Sequence, residues 1–240
     1  MATDSGATLA FTGLYSTSGH TQAVQDYSSS SGRIWNLVAN PFPTYMYGNS
    51  NANSNNFISY NAIENNNLHD SYAAIYGYDA DGSGYTIYNN TDDGIYIAPG
   101  QAFMIAADNS SAGVSVSFNE NMRTLSGSDD FISGDNMDNT EVIIKLFNGD
   151  TEINNTKLFF EDNLSLGLDI GYDAGHFDQN ATIMTRLNED DQGHGMAINA
   201  MGLDAMESAV IPLVINQPAG QEFRINLHTA TIPDLSLIHI

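Results

Sequence analysis

Trp35-Asn36-Leu37-Val38-Ala39-Asn40-Pro41-Phe42-Pro43 is the stretch on which the reading of this fold turns. It couples the only tryptophan of the chain to an apolar run of strand length, and two prolines then stop the run, because proline cannot donate to a sheet ladder. A second stretch, Gly94-Ile95-Tyr96-Ile97-Ala98-Pro99-Gly100-Gln101-Ala102-Phe103-Met104-Ile105, echoes it, with a Pro99-Gly100 turn between two apolar runs of strand character. Flanked by Ile34 and Leu37 at strand spacing, Trp35 is expected to anchor a sandwich core. The competing reading is an exposed indole on which a sugar ring stacks. Asn40, Pro41, Pro43, Pro99 and Gly100 are expected to be structural residues of the two turns.

Outward from these stretches, β signals dominate. Short apolar or alternating runs bounded by Gly, Asn, Asp and Ser occur at Thr8 to Leu14, Ser71 to Tyr78, Gly84 to Tyr88, Val114 to Phe118, Glu141 to Phe147, Thr156 to Phe160, Thr182 to Arg186, Met196 to Asn199, Val210 to Ile215 and Glu222 to Leu227. Asp81-Gly82, Asp93-Gly94, Asn148-Gly149 and Ala219-Gly220 supply reversals. The fold class is therefore all-β, an antiparallel β-sandwich of jelly-roll or Ig-like type, with two modules in tandem. Antiparallel pairing is expected throughout, because no long helical segment separates the strands to carry parallel crossovers. Leu203 to Val210 is expected to form a single helical turn closed by Pro212, and Asn61 to His69 either a short helix or an irregular loop. The polar tract Asn49 to Asn56 reads as a mobile loop. The division is a first module over 1–124, a linker over 125–140, a second module over 141–228 and a tail over 229–240.

Composition narrows the function classes. The 240-residue chain carries 29 acidic residues against 6 Lys and Arg, a formal charge of −23 that repels nucleic-acid phosphates and anionic membrane surfaces. Neither nucleic acid nor membrane insertion is expected, and no stretch approaches the roughly 18 consecutive apolar residues of a membrane span. The chain has no cysteine, which excludes disulfides, thiolate zinc sites and a cysteine nucleophile. The start Met1-Ala2-Thr3-Asp4-Ser5 lacks the basic and apolar regions of a signal peptide. Leu235-Ser236-Leu237-Ile238-His239-Ile240 is expected to be adapter-derived, since it matches one translated frame of a common sequencing adapter, with an ordinary alternating apolar strand as the competing reading; on the adapter reading His239 enters no site and the chain is expected to be a truncated piece of a longer one.

The two opening stretches resemble a pair of motifs, roughly W-N-L-V-x-N-P-[YF]-P and I-x-P-G-Q-[AG]-F-[FM]-[IV], in large secreted and cell-surface proteins of Bacteroidetes-type bacteria, in the region before a type IX secretion sorting domain. Val142 to Leu146, Phe159-Phe160-Glu161, Leu168 to Ala174, Met196 to Asn199 and Ile211-Pro212-Leu213 resemble the module that follows in that family. Leu168 stands where a phenylalanine is frequent and His176 where a lysine is common. The resemblance implies a secreted or cell-surface location and a non-catalytic structural or adhesive role. The alternative is a carbohydrate-binding accessory module of a polysaccharide-degrading enzyme, so polysaccharide and another surface protein are the partners considered.

Candidate site residues follow from residue chemistry. Tyr45, Tyr47, Tyr76, Tyr78 and Tyr85 belong to a tyrosine-rich region and could form a binding face, since tyrosine combines apolar area with a hydrogen-bonding tip; the plainer reading is half-buried strand positions. Asp79 and Asp81, in Asp79-Ala80-Asp81-Gly82-Ser83, and Asp169 with Asp173 offer oxygen ligands for calcium, the one cofactor considered possible. For Asp79 and Asp81 a simple turn is preferred, because the twelfth loop position is Asn90; for Asp169 and Asp173 a loop cap is preferred. His176 and His194 stand near Asp178 and Asp191 in loop-like sequence and read as solvated. No catalytic residue is nominated and no enzyme activity is expected: the hydrolase elbow, the zinc helix and the phosphate loop are all missing from the sequence.

Overall fold

The computed structural model describes residues 15–26, 34–78, 85–108, 114–127, 140–178 and 182–230. The strand expected at Thr8 to Leu14, most of the 125–140 linker, and residues 231–240 with the adapter-like end lie outside them. The fold is all-β. Sixteen strands are described: β1 (His20–Ala23), β2 (Trp35–Ala39), β3 (Tyr45–Tyr47), β4 (Ile75–Tyr78), β5 (Tyr85–Tyr88), β6 (Tyr96–Ile97), β7 (Ala102–Ala106), β8 (Ser115–Phe118), β9 (Arg123–Thr124), β10 (Glu141–Asn148), β11 (Thr151–Phe160), β12 (Ala174–Gly175), β13 (Ile183–Thr185), β14 (Met196–Met201), β15 (Leu213–Ile215) and β16 (Arg224–Ala230). The helical turn expected near Leu203 is α1, Ala205–Ser208. Asn61 to His69 divides between the two alternatives: a short π-helical turn, Ser59–Glu64, takes in its start, and residues 65–69 run on without helix. Among the described residues no helix is long and apolar enough to cross a membrane.

The two opening stretches are partners of each other. β2 pairs antiparallel with β7, from Trp35 opposite Ala106 to Ala39 opposite Ala102. They belong to a sheet of order β2-β7-β4-β5. Side chains alternate across a strand, so this sheet has two different faces. Val38, Ile75, Phe103 and Ile105 enter the core of the first half with Phe42, Phe57 and Phe118. Trp35, Tyr76, Tyr85, Ile87, Met104 and Ala106 face the other way and pack with Ala174, Phe177 and Ile198 of the second half. Trp35 is thus a half-buried residue of the junction between halves, not an anchor of the first core: three positions from Val38, it stands on the opposite face of its strand.

The first half also contains the sheets β6-β3-β9 and β1-β8. The second half is one sheet of order β15-β13-β14-β11-β10-β16, with β12 against β14. Its β10-β11 hairpin turns at Asn148-Gly149, where Gly149 has φ 61°, a left-handed conformation that glycine adopts without a Cβ clash. One pairing departs from expectation: β11 and β14 are parallel. Residues 161–195, a long excursion that includes β12 and β13, supply the return path that a helix would otherwise provide. Among the described residues strand pairing never crosses between the halves, although side chains of both share one core cluster, and β16 runs on to Ala230.

The Asn49 to Asn56 tract is not a free loop. Asn49 and Asn56 are fully buried. The Asn49 amide nitrogen donates to the carbonyls of Asn89, Asp92 and Asp93 at 2.9, 2.8 and 2.6 Å, and its oxygen accepts from the N–H groups of Ala52 and Ile95 at 3.2 and 3.0 Å. An asparagine side chain both donates and accepts, so it satisfies turn backbone that strand ladders leave unpaired.

Candidate functional site at the junction of the halves

Three groups of residues meet where the halves join. The first is aromatic. The Trp35 ring lies 4.7 Å from Tyr76 and 5.4 Å from Tyr72 in edge-on arrangement, and 4.4 Å from Phe177. Phe177 stacks on Tyr85 at 4.0 Å, and Tyr85 meets Tyr78 edge-on at 5.5 Å. Tyr78 is 59% exposed, as the outer face of the sheet extends past the cover of the second half.

The second group is a polar rim. His69 precedes a 3-10 turn, Asp70–Tyr72, and its Nδ1 accepts from the Ser71 N–H at 3.3 Å. Tyr72 and His194 are joined through the phenol oxygen and Nδ1 at 3.0 Å. Burial pushes the Tyr72 phenol up to about 12, so it stays protonated at neutral pH. The His69 and His194 rings are 6.0 Å apart and nearly perpendicular. Burial, and then the neighbouring His194, lower the pKa of His69. The loop carrying His194 is pinned by Arg186, which meets Asp191 at 2.8 Å and donates to the Gly193 carbonyl at 3.0 Å.

The third group is ionic. The Lys157 Nζ on β11 lies 2.7 Å from Asp92 Oδ1 in the first half and 3.8 Å from Glu141 Oε2 at the start of β10. Their side chains are only 13%, 12% and 15% exposed. Asp92 Oδ2 accepts from the Asn89 N–H at 2.8 Å, which fixes the carboxylate plane. Around this pair the Asn89 amide donates to the Tyr172 carbonyl at 2.6 Å and the Asn90 N–H to the Gly171 carbonyl at 2.9 Å.

The five tyrosines expected on one face are not brought together. Tyr45 and Tyr47 sit on β3 in another sheet, where Tyr47 packs on Tyr96 at 5.9 Å. Tyr76 is fully buried and donates from its hydroxyl to the Gly175 carbonyl at 2.8 Å, which removes it from any binding surface. Only Tyr78 and Tyr85 remain as neighbours. Asp79 and Asp81 lie outside the described residues.

Asp169 and Asp173 cap their loop. Asp173 Oδ2 accepts from the Asp169 N–H at 2.6 Å and its Oδ1 from the Ala200 N–H at 2.7 Å. Asp169 Oδ2 accepts from the Ser165 N–H at 2.7 Å. Burial pushes the Asp173 carboxyl up to about 7 against the pull of these two donors. Among the described residues no three His, Asp or Glu side chains are grouped to hold a metal ion. His176 is buried, not solvated, and burial holds its imidazole down to about 4.

Asn40 performs the structural role expected of it. Its amide donates to the carbonyls of Thr44, Ile97 and Ala98, and its oxygen accepts from the Phe42 N–H at 3.0 Å. Gly100, with φ 70°, follows Pro99 in a turn closed by the Gln101 N–H to the Ala98 carbonyl at 3.1 Å. One asparagine therefore ties the Pro41-Phe42-Pro43 turn to the Pro99-Gly100 turn. His69, Phe177 and the Lys157 triad were not marked by any local motif, since their partners are distant in sequence.

The family described as Domain of unknown function (DUF8693) matches residues 7–231, and the chain belongs to that family. No curated protein matches, and no solved structure does.

Proposed function

We propose that this member of the DUF8693 family is a non-catalytic structural or adhesive module of a secreted or cell-surface protein. The observation that carries this reading is the junction. One sheet of the first half is covered on part of its outer face by the second half, and hydrogen bonds plus an ion pair join the same two halves. Such a joint makes two strand modules one stiff body, which suits spacing and presentation. The two paired turn motifs support a place in a Bacteroidetes-type surface protein, ahead of a sorting domain. Calorimetry of the described fold, together with turnover assays on glycan and peptide panels, tests the reading. A single unfolding transition and no turnover are expected. Two separate transitions, or catalysis, would sink it.

The exposed Tyr78 beside Tyr85 favours one second reading, a carbohydrate-binding accessory module. An exposed phenol ring pairs with the apolar face of a sugar. Saturable polysaccharide binding, abolished in Tyr78→Ala with an unchanged melting temperature, would select this reading over the spacer.

A further inference from the structure

We propose that Lys157 and Asp92 condense to an intramolecular isopeptide bond between the two halves, with Glu141 carrying the proton. Four observations converge on it. The amine and the carboxyl are already in contact, Nζ to Oδ1 at 2.7 Å, with Lys157 on strand β11 and the Asp92 carboxylate tied to its turn by the Asn89 N–H. Such fixed proximity replaces a bimolecular encounter with a unimolecular step. A second carboxylate, Glu141, stands 3.8 Å from the same nitrogen. The Asn89 N–H on Oδ2 is placed to stabilise the oxyanion that forms when Cγ becomes tetrahedral. Finally, the three side chains are largely withdrawn from water, which opposes hydrolysis of the product.

The step balances without any co-reactant. Lys157 begins as ammonium and Asp92 as carboxylate. Glu141 takes one proton from Nζ, freeing the lone pair, which forms the bond to Cγ while the C=O electron pair moves to Oδ2. Glu141 returns that proton to Oδ1, and the second leaving proton comes from Nζ as the intermediate collapses. The Cγ–Oδ1 bond breaks, and one water leaves. Ammonium plus carboxylate has become a neutral secondary amide plus water, and Glu141 ends as it began.

The role proposed above does not enter this chemistry, so either idea can fail alone. The test is the intact mass of the full chain, followed to a constant value. The expected result is a mass lower than the sequence value by one water, with a branched peptide joining the Lys157 and Asp92 segments after non-tryptic digestion. Lys157→Arg keeps the cation but not the primary amine, and Glu141→Gln removes the proton carrier; both should show the full sequence mass. Asp92→Asn should lose ammonia in place of water if the bond still forms. A wild-type mass equal to the sequence, with two linear peptides, would overturn the proposal and leave a salt bridge. Loss of water persisting in Lys157→Arg would overturn it as well.

Discussion

Among the described residues of the first half the buried polar side chains are uncharged: the amides of Asn40, Asn49, Asn56, Asn61, Asn89, Asn90 and Gln101, with the hydroxyls of Ser71, Thr91 and Thr124. In the second half they include the carboxyl of Asp173 and the imidazole of His176. An amide donates and accepts at once and carries no charge into the interior, so a turn built on it is insensitive to pH. A carboxylate only accepts, and burying it opposes ionisation. The cores differ in parallel. The first closes around residues such as Phe57, Ile95 and Ile105 with no exposure, whereas the second is rimmed by half-buried Ile211, Leu213, Ile215 and Ile225. The same class of sheet is therefore held in one half by uncharged side-chain to backbone bonds, and in the other by groups whose charge state is linked to folding.

The largest expected effect strikes the amide side of this contrast. Asn49→Ala strips partners from buried backbone groups at five hydrogen bonds. A loss of about 3 to 5 kcal/mol in denaturant unfolding is expected, at the upper end for a single substitution. A loss under about 1 kcal/mol would mean that the tract is as loose as its composition suggests.

Next comes the carboxylate. Asp173→Ala leaves the Asp169 and Ala200 N–H groups without their acceptor and should cost about 2 to 4 kcal/mol near pH 5 by the same unfolding measurement.

The pH profile sharpens the comparison. His176 binds its proton near 6.5 when unfolded and about 4 when folded, so its contribution to stability falls as pH drops from 6.5 towards 4. Asp173 runs the other way: its raised pKa makes its contribution full below the unfolded value of 3.8 and lost as pH rises to about 7. Between roughly pH 4 and 6.5 the two slopes oppose, and the wild type should show a shallow profile in melts at fixed ionic strength. Asp173→Asn removes one slope, so its stability should fall steeply on acidification. An equally shallow variant profile would refute this account of the second half.

The smallest effects belong to the aromatic junction. Tyr76→Phe deletes the hydroxyl bond to Gly175 and should cost about 1 to 2 kcal/mol, because a buried carbonyl loses its donor. Tyr78→Ala, on the exposed part of the same sheet face, should stay within about 0.5 kcal/mol in the same melts. Equal costs at the two positions would mean that Tyr78 is also covered.

Strand identity was readable because alternation and Pro-Gly punctuation are local. Trp35 to Ala39, Ala102 to Ala106 and the Asn148-Gly149 hairpin all stand where pattern puts them. Asn40 was readable as a turn residue for the same reason. The Asn49 tract was misread because composition reports what a segment cannot bury by itself, not what its amides meet from residues 89 to 95. Period two placed Trp35 on a strand but could not say which of two faces would be the first core and which the junction. His176 likewise gave no local sign of its burial.

By itself, the sequence determined the all-β class, the two turn motifs, the strong negative charge and the lack of thiol chemistry, since each depends on residue type or on spacing within a few positions. The tertiary structure alone decided which strands pair, that β11 and β14 run parallel, that Tyr76 is buried while Tyr78 is not, and that Lys157 meets Asp92 and Glu141. Those facts depend on groups distant along the chain, and only the packing of one half against the other brings them within bonding distance.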